Sequence, residues 1–291
     1  MSVLDGRAVV ITGAGRGLGR ASALHAAAHG AAVVVNDVDD GPADEVVSAI
    51  REAGGRAVPS VGSVADPDQA HAAVARCLTE FGRIDGLVNN AGVRYEAPVW
   101  EDPPDRARQL IEINVLGSLY CGAAAARAMR DQGSGSIVNM ASLAMVGQPG
   151  AATYAASKGA VYSMTVAWAW DLRDHGVRVN GLFPLAQTRM SGAGSGVRQT
   201  PGEVAPVVTY LLSDLSRAVT AQLIRYTGSK IHIVRQIGAM DPVLAVGGDL
   251  AEIAEAFDRH LVLDNPTRAT VDPEPVTRGH HHGTPPAEPN R

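Results

Sequence analysis

The chain has 291 residues, 46% of them hydrophobic, with a formal net charge of −5, enough to bury one full core as a single large α/β domain with a tail. The acidic balance argues against nucleic acid and anionic membrane surfaces, which call for clustered Lys and Arg, and leaves a small-molecule partner. Cys77 and Cys121 stand in no metal or redox spacing, Met1 to Arg7 hold no leader, and no run approaches a membrane span, so a cytoplasmic protein without a metal site is expected.

Short β-branched runs alternate with longer Ala-rich stretches, the pattern of strands and crossover helices in a parallel sheet. The first strand, 7–12, runs into Thr12-Gly13-Ala14-Gly15-Arg16-Gly17-Leu18-Gly19 and then a helix over 17–29. A tight strand-to-helix turn needs positive φ, and a pyrophosphate on a helix N-terminus needs amides that no Cβ obstructs; Gly13, Gly17 and Gly19 supply both. The second strand, 31–36, leads to Asp37, about 20 residues past the loop, where a carboxylate accepts hydrogen bonds from adenosine ribose hydroxyls and favours NAD. Arg16 pulls the other way, toward the extra phosphate of NADP, and the acid is given the greater weight. The bland alternative for Asp37 is a turn former or helix cap ahead of Asp39-Asp40-Gly41-Pro42.

A helix over 42–53, a strand over 56–61, a helix over 67–81 and a strand over 84–89 follow, and 104–131 reads as one long helix. Within it, Asn114 costs helix stability unless its side chain finds a partner, so a site role stands beside a bend or cap. The strand 135–141 leads to Ser142, and the helix 153–174 carries Tyr154 and Lys158 four apart, one turn from each other on one face. Tyrosine ionises at about 10, and a neighbouring ammonium favours the phenolate, so Tyr154 is a candidate general acid or base with Lys158 as its partner. A strand over 177–183, a substrate lid between Thr188 and Glu203, a helix over 203–213 and a strand over 222–227 complete the pattern.

The fold expected is α/β, a doubly wound Rossmann-like parallel sheet of about seven strands with helices on both faces and its ligand at the strands' carboxyl ends. The catalytic domain is expected over 1–238, followed by a helical extension over 239–263 built on a helix from Asp249 to Leu261. Disorder is expected over 264–291, where the Pro-rich sequence around His280-His281-His282 has too few apolar side chains to offset ordering.

Thr12-Gly13-x-x-x-Gly17-x-Gly19, Asn89-Asn90-Ala91-Gly92 and Tyr154-Ala155-Ala156-Ser157-Lys158, in that order, resemble the short-chain dehydrogenase/reductase family over roughly residues 3 to 230. The glycine spacing is similar to the ordinary single-domain branch, which disfavours epimerase or dehydratase chemistry. Val35-Asn36-Asp37, the stretch from Pro184 to Met190 and Thr227-Gly228-Ser229-Lys230 are similar to the dehydrogenase part of peroxisomal-type multifunctional hydroxyacyl-CoA enzymes.

The resemblance implies a catalytic set of Asn114, Ser142, Tyr154 and Lys158. In it Ser142 bonds the substrate oxygen, Asn114 holds a water in a proton path, and Lys158 also bonds the nicotinamide ribose. It implies a cofactor set of Gly13, Arg16, Gly17, Leu18, Gly19, Asp37, Val64 at the adenine, Asn90, Ala91, Gly92, Tyr154 and Lys158, with Pro184 and Thr188 at the carboxamide. Asn89 is expected to link strands. Three positions depart from the family pattern: Ser142 precedes Tyr154 by 12 residues rather than 13, Ser63 stands where aspartate is usual, and Leu185 replaces a glycine.

The function expected is hydride transfer between NAD(H) and a secondary alcohol or ketone, such as a 3-hydroxyacyl thioester or hydroxysteroid. An NADP-dependent carbonyl reductase and a non-catalytic nucleotide-sensing protein are the alternatives. Arg94, Arg189 and Arg198 are candidates to meet an acyl-CoA phosphate, against the reading of plain solvated charges. The resemblance also implies a homodimer or homotetramer paired through helices 104–131 and 153–174, with Trp168 and Trp170 either in that interface or in the core.

Overall fold

The computed structural model describes residues 2–187, 199–236, 249–253 and 255. The chain divides into two compact units, Met1–Ile237 and Gly238–Arg291. In the second, residues 250–253 and 255 are helical, and the rest of the expected helix and the tail lie outside the described residues.

The first unit alternates strands and helices in the expected order. It runs β1 (Ala8–Ile11), α1 (Gly17–Ala28), β2 (Ala32–Asp37), α2 (Asp40–Glu52), β3 (Arg56–Val61), α3 (Pro67–Phe81) and β4 (Gly86–Asn89), then α4 (Pro104–Ile111) and α5 (Gly117–Gln132). It continues through β5 (Gly135–Met140), α6 (Ala152–Asp171), β6 (Val177–Pro184), α7 (Pro201–Leu212), β7 (Leu223–Tyr226) and β8 (Ile231–Ile233). The strands form one sheet in the order β3-β2-β1-β4-β5-β6-β7-β8. The first seven are parallel, and β8 adds an antiparallel edge strand beside β7. Strand order reverses between β1 and β4, and the crevice at that switch point is where an open α/β sheet receives its ligand.

The central strands are buried on both faces, so they read as continuous apolar runs. Val9, Ile11, Val33 and Val35 pack on one side with α1 and α7 residues such as Ala23, Val204 and Val208. Val10, Val34 and Ile137 pack on the other with Ala73, Cys77, Cys121 and Ala125 of α3 and α5. Full burial of such side chains contributes about 1.5–3 kcal/mol each. Trp168 belongs to this second layer, lying so close to Gly122 that a Cβ there would stand 2.4 Å from the indole, whereas Trp170 is exposed.

A polar thread crosses the apolar interior. Asn89 Nδ2 donates to Asn139 Oδ1 at 2.9 Å, Asn139 Nδ2 to Thr165 Oγ1 at 2.9 Å, and Thr165 Oγ1 to Val161 O at 2.7 Å. Asn89 therefore links β4 through β5 to α6, and its own Oδ1 ends the thread without a protein partner.

The expected helix over 104–131 is two helices joined by a wide π turn, Glu112–Leu116. Apolar periodicity runs through the turn unbroken, which is why the sequence reads as one helix. At the turn, Asn114 spends its side chain on Val93 of the segment after β4, and its carbonyl accepts the Ser118 hydroxyl at 2.9 Å. One-turn π bulges of this kind are frequent at functional sites.

Candidate active site

The glycine loop leaves β1 with Gly13 at φ 59° and Gly17 at φ 55°, the left-handed region that only glycine enters without cost. Gly19 serves differently from the expected positive φ. It lies within α1, and a Cβ there would stand 2.2 Å from Gly13 O and 2.6 Å from Asn90 Nδ2. The requirement for Gly15 escapes the sequence reading: a Cβ would meet Pro42 at 2.8 Å and Asp37 Oδ2 at 2.9 Å.

Asp37, nearly buried at the end of β2, accepts from Gly15 N at 2.8 Å and from Asp39 N at 3.2 Å. Arg16, at the start of α1, extends to Asp39 Oδ2 at 2.5 Å, and that carboxylate holds the guanidinium above its ordinary value. A cleft of about 500 Å³ opens over these groups, lined by Gly13, Arg16, Gly17, Leu18, Asp37 and Val64 and continuing past Asn90, Ala91 and Gly92. Gly17 and Leu18 line the cleft and begin α1, so the first N–H groups of the helix, which have no partner within it, belong to the cleft lining.

The floor of the cleft is tied by Thr12, which the sequence reading quoted in the motif and gave no role. Its hydroxyl accepts from Asn90 N and Ala91 N, both at 3.0 Å, and donates to Val88 O at 3.3 Å. Asn90 Nδ2 answers by donating to Thr12 O at 2.8 Å and Gly13 O at 3.0 Å. The two loops at the switch point are thereby one rigid body. Val64 is buried, and its side chain would be only 2.5 Å from a Cβ at Gly117. Ser63 is turned to its own loop, its Oγ accepting from Ala65 N at 3.2 Å.

Asn114, 1% exposed, accepts from Val93 N at 2.8 Å and donates to Val93 O at 3.0 Å and to Ser157 Oγ at 3.2 Å. It staples the segment after β4 to α6. Ser142 ends β5 and caps a short 3-10 turn, Leu143–Val146, accepting from Ala144 N at 3.2 Å. Gly147 at φ 102° and Gly150 at φ 70° then turn the chain into α6. These bends lie within the shortened Ser142-to-Tyr154 spacing, and Ser142 stays near enough to the Tyr154 phenol to pull its pKa down.

Tyr154 lies in the first turn of α6, with Lys158 one turn further on. Lys158 Nζ stands 5.8 Å from the Tyr154 ring centroid and donates to Met140 O at 2.7 Å. Burial lowers the Lys158 ammonium to about 8. Burial also holds the Tyr154 phenol above its ordinary 10, opposed by the Ser142 hydrogen bond and the charge of Arg94. The sequence reading assigns the downward pull to Lys158. In the structure Ser142 and Arg94 exert it, because the desolvated ammonium is itself weakened.

Pro184 ends β6, and Leu185 N donates to Tyr226 O at 2.9 Å. Thr188, Arg189, Arg198 and most of the expected lid lie outside the described residues. Among the described residues no helix is long and apolar enough to cross a membrane, and no group of three or more His, Cys, Asp or Glu is placed to hold a metal.

A doubly wound sheet with a glycine loop, an acid on the second strand and a buried Tyr-Lys pair at one edge defines a nucleotide-dependent oxidoreductase site. The short chain dehydrogenase family model matches residues 7–194, and the chain belongs to this family, which uses a nicotinamide cofactor. The cis-4-hydroxycyclohexanecarboxylate dehydrogenase of Sinomonas cyclohexanicum is 38% identical over 238 residues, covering 76% of this chain and 95% of that protein. A short chain dehydrogenase structure from Mycobacterium avium is similar at TM-score 0.82 and 34% identity, over 89% of this chain and 96% of that one. A gluconate 5-dehydrogenase from Burkholderia cenocepacia J2315, solved with NADP and tartrate, is similar at TM-score 0.72 and 33% identity, over 77% of this chain and 95% of that one.

Proposed function

We propose that the chain interconverts a secondary alcohol and the matching ketone with NAD(H). The observation that carries this reading is the buried Tyr154 phenol, with Ser142 near enough to pull its pKa down and the Lys158 ammonium 5.8 Å from its ring centroid, at the sheet edge that also presents the glycine loop. The residues fit a dinucleotide. Gly13 and Gly17 line the cleft beside Arg16 and Leu18, and the missing side chains at Gly13 and Gly19 let the loop pack directly on Asn90 and Ala91, so that bare backbone faces a pyrophosphate. In this reading Asp37 receives the adenosine ribose, Val64 the adenine, Asn90 to Gly92 the central backbone, and Pro184 with Thr188 the carboxamide. The bound cofactor supplies or accepts the hydride.

Tyr154 exchanges the alcohol proton at its phenol oxygen, Ser142 orients the substrate oxygen and with Arg94 draws Tyr154 toward ionisation, and Lys158 bonds the nicotinamide ribose. Asn114 fixes Val93 and Ser157 on the wall of the site and continues the proton path. The 3-hydroxyacyl thioester and hydroxysteroid substrates stay within this class, as does the ring alcohol named for the Sinomonas relative. Assembly through α5 and α6 into a homodimer or homotetramer belongs to the same proposal, with Trp170 rather than Trp168 available to it.

Tyr154→Phe tests the reaction. Turnover falls below about one part in a hundred while nucleotide binding persists, and undiminished turnover removes the assignment. The choice of NAD is supported by Asp37 and Asp39, two carboxylates beside Arg16 in the cleft lining that oppose an added ribose phosphate. The NADP complex of the Burkholderia relative keeps the other cofactor in view. Calorimetry with both nucleotides decides, and tighter binding of NADP overturns the NAD reading.

A further inference from the structure

Arg94 stands over the reacting phenol, and the hydride-transfer reading gives it no contact with the substrate. Its guanidinium carbon lies 5.3 Å from the Tyr154 ring centroid, and its side chain is 22% exposed. The residues on either side of it are fixed. Val93 is bonded through both its N–H and its carbonyl to Asn114. Tyr95 donates from its hydroxyl to Asp102 Oδ1 at 2.5 Å, and the other Asp102 oxygen accepts from Thr153, the residue before Tyr154. Ala97 N donates to Gly150 O at 2.8 Å, closing the same seam. The segment after β4 is thus zipped along the start of α6, and this seam aims the one side chain between Val93 and Tyr95 over the phenol.

Among the described residues Glu96 is the single hydrogen-bond and ion-pair partner of that guanidinium, at 2.5 Å, and Glu96 is 62% exposed. A solvent-facing pair of this kind is weakly held and readily exchanged. A guanidinium offers five donors in a planar fork that matches a carboxylate, so the bond to Glu96 leaves most of its donor capacity unused beside the Tyr154 ring.

We propose that Arg94 is a substrate-recognition residue, and that the alcohol oxidised at Tyr154 carries a carboxylate which displaces Glu96 from the guanidinium. The proposal rests on the oxidoreductase reading above and narrows it: the substrate is a free hydroxy acid rather than its neutral thioester or a neutral sterol. Arg94 contributes charge and orientation at the far end of the substrate, while the proton moves at Tyr154.

Benzoate and benzamide share shape and differ in charge, and neither can be turned over, so their binding to the full chain by calorimetry, with and without NAD, tests the site independently of catalysis. Benzoate is expected to bind about 10- to 100-fold more tightly than benzamide. Arg94→Gln abolishes that preference, and Glu96→Gln, which removes the competing carboxylate, strengthens benzoate binding several-fold. Equal binding of the two probes, or a preference that survives Arg94→Gln, overturns the proposal. In turnover, 3-hydroxybutyrate is expected to exceed its amide in kcat/KM by a similar ratio, and Arg94→Gln collapses the ratio. Absence of turnover of any alcohol with either nicotinamide cofactor would instead strike the oxidoreductase reading and leave the calorimetric result standing.

Discussion

Replacing Lys158 with methionine should separate a stability cost from a catalytic gain. In the folded chain the ammonium is 7% exposed and lowered from its ordinary 10.5 to about 8, with burial as the cause. A drop of that size corresponds to about 3 kcal/mol of strain on the charged form. The unfolded chain keeps the ordinary value, so between about 8 and 10.5 it binds the proton that the folded chain has released. Stability therefore rises with pH across that window, and below about 8, where both states are protonated, the full cost of burial remains. The methionine variant has no such group. Urea titrations of both proteins without nucleotide, from neutral pH to pH 10.5, should show the wild type gaining about 3 kcal/mol relative to Lys158→Met. The lost bond to Met140 O and alkaline effects on other groups enter both ends of the comparison, so they cancel from this difference. A difference that stays flat with pH would refute the buried ammonium as described, and the variant should lose turnover at every pH.

Gly19→Ala forces a methyl against Gly13 O and should cost about 1–3 kcal/mol in denaturant titration while abolishing nucleotide binding; a variant that binds normally would show that the loop yields. Asp37→Asn keeps the shape of the side chain and removes its charge, so the ratio of NAD to NADP affinity should fall at least about tenfold by calorimetry. Asn114→Ala strips both bonds to Val93, and an expected loss of about 1–3 kcal/mol in stability should accompany about a 100-fold loss in turnover. Retention of either property would show that the π turn holds its shape without the amide.

Much of this architecture is legible in the sequence because its signals are local. The buried parallel strands announce themselves as β-branched runs, and the first seven strands fall within two residues of where the runs place them. The spacing of Tyr154 and Lys158 reads directly as one helical face. What escapes is non-local. The split at Asn114 depends on Val93, 21 residues away, offering both backbone groups, and no periodicity within 104–131 carries that information. The β8 edge strand, Ile231–Ile233, is short, solvent-facing and paired only with β7. The need for glycine at Gly15 comes from Asp37 and Pro42, which meet it only after α1 and α2 have folded. The roles of Thr12 and Arg94 likewise arise from partners that the sheet brings together.

The Asn89–Asn139–Thr165 thread has a bearing on how α6 finds its place. On α6, Trp168 fixes an apolar contact at Gly122, but small buried residues such as Ala155 and Ala169 resist a slide along the groove only weakly. The donors and acceptors of the thread match at one setting alone, since Thr165 must face Asn139, while its own bond to Val161 O travels with the helix. A mis-set helix would leave amide groups buried and unpaired, a penalty of about 1–3 kcal/mol for each. The thread therefore acts as a key that rejects near-native alternatives, and the reacting phenol at the head of the helix inherits its alignment.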